Sequence, residues 1–302
     1  MALLLCVALV SPASADNGVT IPGYTIDRRV AGGVTGVAMG LGLVTQLIPI
    51  RSPDLWHAEL ASVDEDVRGN FSRRAASLSD VVLGLSLAAP ALYLMGSTID
   101  DADGDKLLIY GQSIAVNSLI AGVVKRLVQR PRPYVYSKDP LVQRYAKDDG
   151  GDAYMSFYSG HAALSFGAAV TGAYLLGASG TNRSIMPLAW AGGLMLAATT
   201  ASLRVRAGKH FYSDVLVGGL IGITVGYVVP ALHADGDPYK PSGSEIGAGI
   251  AGILGGMLIG QLIPLEKRSS EVDLRRPGVV QNLHLAPMPV SGGFGFALGG
   301  GM

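Results

Sequence analysis

Cysteine is all but missing: Cys6 is the only one in 302 residues. It lies in a stretch that reads as a removable secretory signal, so internal disulfides, thiolate metal sites and a cysteine nucleophile are all excluded. Charge is scarce too. Only 15% of the residues are charged, the 23 basic and 23 acidic side chains balance, and 49% of the chain is hydrophobic. That is more apolar than an ordinary soluble domain. Nucleic acid is a poor partner for such a chain, because no basic helix or aromatic platform accompanies its few cations.

What the sequence does have is length without charge. Seven runs, 30–50, 81–99, 107–124, 162–182, 184–203, 215–232 and 246–265, carry no ionic side chain. Each is close to the roughly 17–25 residues that cross a bilayer as a helix. Many are rich in Gly and Ala, which lets helices pack through small-residue contacts. The expected fold is therefore all-α, a multi-helix transmembrane bundle. Ahead of it, "MALLLCVALVSPASADNG" has an apolar core at Leu3 to Val10 and an Ala-x-Ala site at Ala13 to Ala15. Residues 1–15 are expected to be the signal peptide, and 16–59 an N-terminal segment with the first apolar helix.

Four boundaries of these runs carry the chemistry. Counting crossings, the third run ends at Lys125, the fourth starts at His161, the fifth ends near Arg204 and the sixth starts after Asp214. All four fall on one membrane face. Lys125, Arg132, Ser159, Gly160, His161, Arg204, His210 and Asp214 are thereby brought toward a common pocket. Permanent cations beside a Ser-Gly turn that opens a helix make a site for a multiply charged anion, and phosphate is the commonest. Two histidines then divide phosphoryl transfer between a nucleophile and an acid for the leaving oxygen. Asp214 follows His210 by four residues, a helical spacing that puts both on one face and aims the carboxylate at the imidazole. His210 is expected to be the oriented nucleophile.

Lys125-x6-Arg132-Pro133, Ser159-Gly160-His161 and Arg204-x5-His210-x3-Asp214 resemble the three signature motifs of the type-2 phosphatidic acid phosphatase and vanadium haloperoxidase superfamily. The resemblance covers roughly residues 60 to 232 and implies a six-helix phosphatase-type core there. It implies that His210 forms a phosphohistidine and that His161 protonates the leaving group. Lys125, Arg132, Ser159, Gly160 and Arg204 would hold the phosphoryl oxygens, with no metal and no cofactor. Two positions depart from the family pattern. Tyr158 stands where a Pro is usual, and Leu203 stands where a Ser is usual, with Ser202 one place earlier. The first is expected to loosen the turn that aims Ser159, the second to remove a minor hydroxyl contact.

The implied activity is hydrolysis of a lipid phosphate or diphosphate in a membrane. The alternatives are a soluble-type acid phosphatase or vanadate-dependent haloperoxidase and, in a different class, a non-catalytic membrane protein or transporter. Relatives in bacterial membranes usually face the periplasm, and the same is expected here: a bacterial-type cell membrane with the site on the periplasmic or outer side. A cleaved signal and seven crossings would instead place the cationic face in the cytoplasm.

The remaining features are expected to be structural. Arg206 and Lys209 read as a solvated rim, and His57, His233 and His284 as structural or surface residues. "DDADGDK" at 100–106 resembles the opening of a calcium loop but lacks its Gly and Glu at the required places, so it reads as a solvated connector. "GLGLVTQLIPI" near Gly40 echoes "GGMLIGQLIPL" near Gly255, which suggests two outer helices that pack alike. The second belongs to an additional apolar helix at 233–265. Alternating residues broken by Gly and Pro in the tail, 266–302, suggest a short hairpin or a loose extension.

Overall fold

The computed structural model describes residues 19–21, 24–50, 62–95, 101–181, 183–264, 283–290 and 293–300. The expected signal peptide and His57 lie outside them. Nine helices are present among the described residues: α1 (Arg28–Gln46), α2 (Ser62–Glu65), α3 (Arg73–Leu94), α4 (Asp101–Val128), α5 (Pro140–Asp148), α6 (Gly160–Ala178), α7 (Met186–Arg206), α8 (Tyr212–Ala231) and α9 (Gly243–Leu262). Two antiparallel strand pairs, β1 (Val19–Ile21) with β2 (Tyr24–Ile26) and β3 (Leu283–Val290) with β4 (Gly293–Gly300), precede and follow the helices in the chain. The tail thus contains the hairpin that its alternation suggested.

Six helical segments, 73–94, 103–136, 160–178, 186–206, 212–231 and 243–262, are long and apolar enough to cross a membrane. This is an all-α transmembrane bundle. Five of the six fall in 60–232, and the sixth, α9, falls in the stretch set apart at 233–265. The run at 30–50 is not among them. Its helix, α1, begins on two arginines, ends on Gln46 and is diluted by glycines. Even so, α1 lies parallel to α4 along most of its length. Arg28 pairs with Asp105 at one end, and Ile48, just past α1, offers its carbonyl to Arg126 at the other.

"DDADGDK" is not a connector. From Asp101 onward it forms the first turns of α4, where Asp103 pairs with Lys106 at 3.0 Å and Asp105 with Arg28. Acidic side chains at a helix N-terminus meet the positive end of its dipole, so helix is favoured there over a loop.

Small residues set the packing. A Cβ on Gly222 would stand 2.3 Å from the Ala163 carbonyl oxygen, so α8 rests directly on the backbone of α6. Gly252 and Gly256 do the same between α9 and α7, at 2.2 Å from the carbonyls of Ala191 and Met195. Close backbone approach of this kind is how helices associate where no hydrophobic force distinguishes lipid from leucine. The consequence for the site is directional. α4 and α7 end at the face where α6 and α8 begin.

Candidate active site

Lys125 stands in the last turn of α4 and makes no hydrogen bond or ion pair with the described residues. Its ammonium lies beside the start of α6, since a side chain at Gly160 would come within 4.0 Å of Nζ. Beyond Pro131 the chain turns and Arg132 is buried. Its Nε and Nη2 donate to the carbonyl and carboxylate of Asp152, at 2.7 and 2.8 Å, and Nη1 donates to the Lys209 carbonyl at 3.1 Å.

Ser159 caps α6, its hydroxyl accepting from the Ala162 amide at 3.3 Å. Its own amide donates to the Asp214 carbonyl at 3.0 Å, and Tyr158 is fully buried. The turn is therefore pinned at both ends despite the missing proline. The first amides of α6, at Gly160 and His161, have no acceptor within the helix. They face the same region as Lys125, a helix N-terminus open to an anion.

His161 and Arg204 are joined by a carboxylate that the sequence reading missed. Asp80 on α3 sits 2.8 Å from His161 Nε2 and accepts from Arg204 Nη1 at 3.3 Å. Arg204 also donates to Ser79 at 3.2 Å, and its buried Nε has no partner among the described residues. Asp80 stands one place before the second charge-free run, at the edge of an apolar helix. An ionisable residue in such a position is costly unless it is paired or working, and that was the available signal.

His210 follows a turn made by Gly208, whose φ of +71° and close approach to the Asn70 carbonyl admit no side chain. The imidazole is 0% exposed. Its Nδ1 lies 2.7 Å from the Ser156 carbonyl, which can only accept, so Nδ1 carries the hydrogen. Nε2 keeps its lone pair and has no hydrogen-bond partner among the described residues. Burial, followed by the positive charges of Lys125, Arg132 and Arg204, holds this imidazole well below its ordinary pKa. It is neutral at pH 7.

Asp214 is placed differently from the expectation. His210 does not lie on a helix with it, because α8 begins only at Tyr212 with Phe211 as its cap. The Asp214 carboxylate stands 3.8 Å from Nδ1 of His210 and accepts instead from the Phe211 amide (2.8 Å), the Ser156 hydroxyl (2.5 Å) and Arg130 (2.7 Å). A backbone carbonyl holds the imidazole, and the carboxylate holds the segment that supplies it. Arg130 in turn reaches the buried Asp64, which accepts from the Ser213 amide at 3.0 Å. The guanidinium lies 4.1 Å from the centre of the Phe211 ring. Arg130, Asp64 and Ser156 belong to no motif and are recognisable only once helices are side by side.

The rim is not solvated as expected. Lys209 donates to Tyr145 at 3.1 Å and to Asp149 at 3.3 Å, and stands over the Tyr134 ring. Burial would raise the Asp152 pKa, but Arg132, Lys209 and Lys125 outweigh it and hold that carboxyl below its usual range. Arg206 donates to the carbonyls of Gly260 and Ile263, closing the end of α9. His233 pairs with Gln112 at 2.8 Å, a structural role as expected. Ser202 points at Gly260 and not into the site, while Leu203 is buried against α3.

A family model described as the PAP2 superfamily matches residues 106–236, a span that includes all three motifs. Over this segment the chain is similar to the PAP2 superfamily. That similarity supports a phosphatase-type function acting on a phosphate ester. No solved structure matches the chain. Asp64 and Asp80 lie outside the PAP2 match, although both touch residues within it.

Proposed function

We propose that the protein is a membrane phosphatase that hydrolyses a lipid phosphate or diphosphate through a phosphohistidine on His210. The observation that carries this reading is the state of that side chain: neutral, buried, held through Nδ1, with an unpartnered Nε2 in a pocket surrounded by Lys125, Arg132 and Arg204. Attack by Nε2 on phosphorus builds charge on the phosphoryl oxygens. The three cations and the α6 amides stand where they neutralise it. His161 gives a proton to the departing oxygen and later takes one from the water that cleaves the phosphoenzyme.

A lipid carrier suits the surroundings. Val81 and Leu85, on the helix of Asp80, and Leu216, two residues past Asp214, are all more than half exposed. Apolar side chains on spanning helices at the level of a cationic pocket favour an amphiphile over a soluble ester. Quenching the enzyme in alkali after mixing with ³²P-phosphatidate tests the mechanism, because phosphohistidine survives alkali and is lost in acid. Label is expected on the wild type and absent from His210→Ala; equal labelling of both overturns the reading. The site is proposed to face the outer side of a bacterial-type cell membrane. Lys138→Cys, on the site face, should then react with an impermeant thiol reagent on whole cells, and Ser244→Cys, at the start of α9, should not.

A further inference from the structure

Asp80 has no part in the steps described so far, yet it is costly to place where it stands. It lies about 10 Å along α3 from Arg73, at 1.5 Å per residue, and is 6% exposed. A buried carboxylate in a spanning helix is destabilising unless its partners repay its desolvation, and an apolar side chain would fill the place more cheaply. Both of its partners are site residues that come from different helices, His161 on α6 and Arg204 on α7.

The geometry has a chemical consequence. A carboxylate oxygen accepts, so Nε2 of His161 carries the hydrogen that faces Asp80. Nδ1 is then the nitrogen left for the substrate. We propose that Asp80 is a positioning residue for the leaving-group step: it fixes His161 with Nδ1 toward the ester oxygen and balances the imidazolium charge before the proton leaves. This rests on the phosphohistidine reading. As His210 Nε2 bonds to phosphorus, the ester P–O bond breaks and its oxygen takes the proton from Nδ1 of His161. The Nε2 hydrogen stays on His161, donated to the Asp80 carboxylate, throughout. In the second half Nδ1 takes a proton from water, whose oxygen bonds to phosphorus while the P–Nε2 bond breaks and its electron pair returns to His210.

A merely structural Asp80 would act through Arg204 or through folding, and would affect every substrate alike. The experiment compares phosphatidate, whose alkoxide leaves poorly, with p-nitrophenyl phosphate, whose leaving group needs no proton. On purified full-length protein, Asp80→Asn is expected to lower kcat on phosphatidate by about 10²-fold, in the range of general acid catalysis, and on the aryl ester several-fold at most. The double variant Asp80→Asn/His161→Ala should be no slower on phosphatidate than His161→Ala alone, since residues acting as a unit are not additive. Inhibition by vanadate should stay within about threefold of wild type, reporting that Arg204 is still in place. Asp80→Glu, which keeps the charge, should hold the ratio of the two rates near the wild-type value. Equal losses on both esters, full additivity with His161→Ala, or a Glu variant as leaving-group sensitive as His161→Ala would each overturn the proposal. Turnover by His210→Ala would instead sink the phosphohistidine reading beneath it.

Discussion

The two histidines of the site are held in opposite ways. His210 is sealed from solvent and tied through Nδ1 to the neutral carbonyl of Ser156, with the nearest carboxylate oxygen 3.8 Å away and engaged elsewhere. His161 has a side chain 21% exposed and leans directly on a carboxylate, at 2.8 Å. The difference teaches which job each can do. A nucleophile needs a free lone pair, and a partner that kept its ring protonated would take that lone pair away. An acid needs that partner, because it must carry a proton until the moment of transfer.

The sharpest way to break this comparison is to remove each ring. His210→Ala is expected to abolish steady-state hydrolysis of every ester, by at least about 10⁴-fold, because the proposed phosphoenzyme forms on its Nε2. His161→Ala should lose about 10²- to 10³-fold on phosphatidate and far less on p-nitrophenyl phosphate. Steady-state kinetics on the two esters reads both. Equal losses across esters for His161→Ala would mean that the rings do not divide the labour.

How much of this was visible beforehand differs along the same line. The three motifs and their convergence on one face followed from where charge-free runs start and stop, since a spanning helix forces its ends to opposite faces. The membrane bundle followed from the same runs. Asp80, Asp64, Arg130 and Ser156 did not, because each gains its meaning from a neighbour on another helix, and lateral packing leaves no periodicity in a chain so uniformly apolar. The shared helical face inferred for His210 and Asp214 from their spacing does not form, for a local reason. Four residues imply one helical face only inside a helix, and here Phe211 breaks the register by serving as the cap.

Asp214→Asn sharpens that correction. Asn retains an oxygen for the Phe211 amide but loses the charge that meets Arg130, which keeps Asp64 as a partner. Stability should fall by about 1.5–3 kcal/mol, the range for a hydrogen bond to a charged group. Turnover should fall by about tenfold through displacement of His210, less than in a triad where the carboxylate touches the imidazole, for which the loss is about 10⁴-fold. Thermal midpoints in detergent and kcat on phosphatidate measure the two effects. A 10⁴-fold loss with unchanged stability would restore Asp214 as the direct orienting group.

The buried state of His210 also predicts a pH dependence of stability. Its folded pKa is lowered, so between that value and the unfolded 6.5 only the unfolded chain binds a proton, and stability falls as pH drops below about 6.5. One such group contributes a slope of at most about 1.4 kcal/mol per pH unit. His210→Gln should be flatter than wild type by up to that amount between pH 6.5 and 5.5 in thermal melts. Identical slopes would mean that the ring is protonated in the folded protein.

The smallest expected effect concerns Ser202, one place away from where the family carries a serine. In a helix the shift of one residue turns a side chain by about 100°, so the hydroxyl cannot serve the same neighbour. Ser202 faces Gly260 across the α7–α9 contact, and its buried oxygen has no hydrogen-bond partner among the described residues. Removing an unsatisfied hydroxyl from an apolar contact costs little and is even favourable where no bond is lost. Ser202→Ala should therefore leave kcat/KM within about twofold and stability within about 0.5 kcal/mol of wild type. The neighbouring change, Leu203→Ser, restores the family's residue at the price of a cavity against Ala75 and Ala207, and should cost about 2–4 kcal/mol. If Ser202→Ala slowed hydrolysis tenfold without lowering the thermal midpoint, its hydroxyl would have to reach the phosphate during turnover, and the α7–α9 contact would have to rotate to allow it.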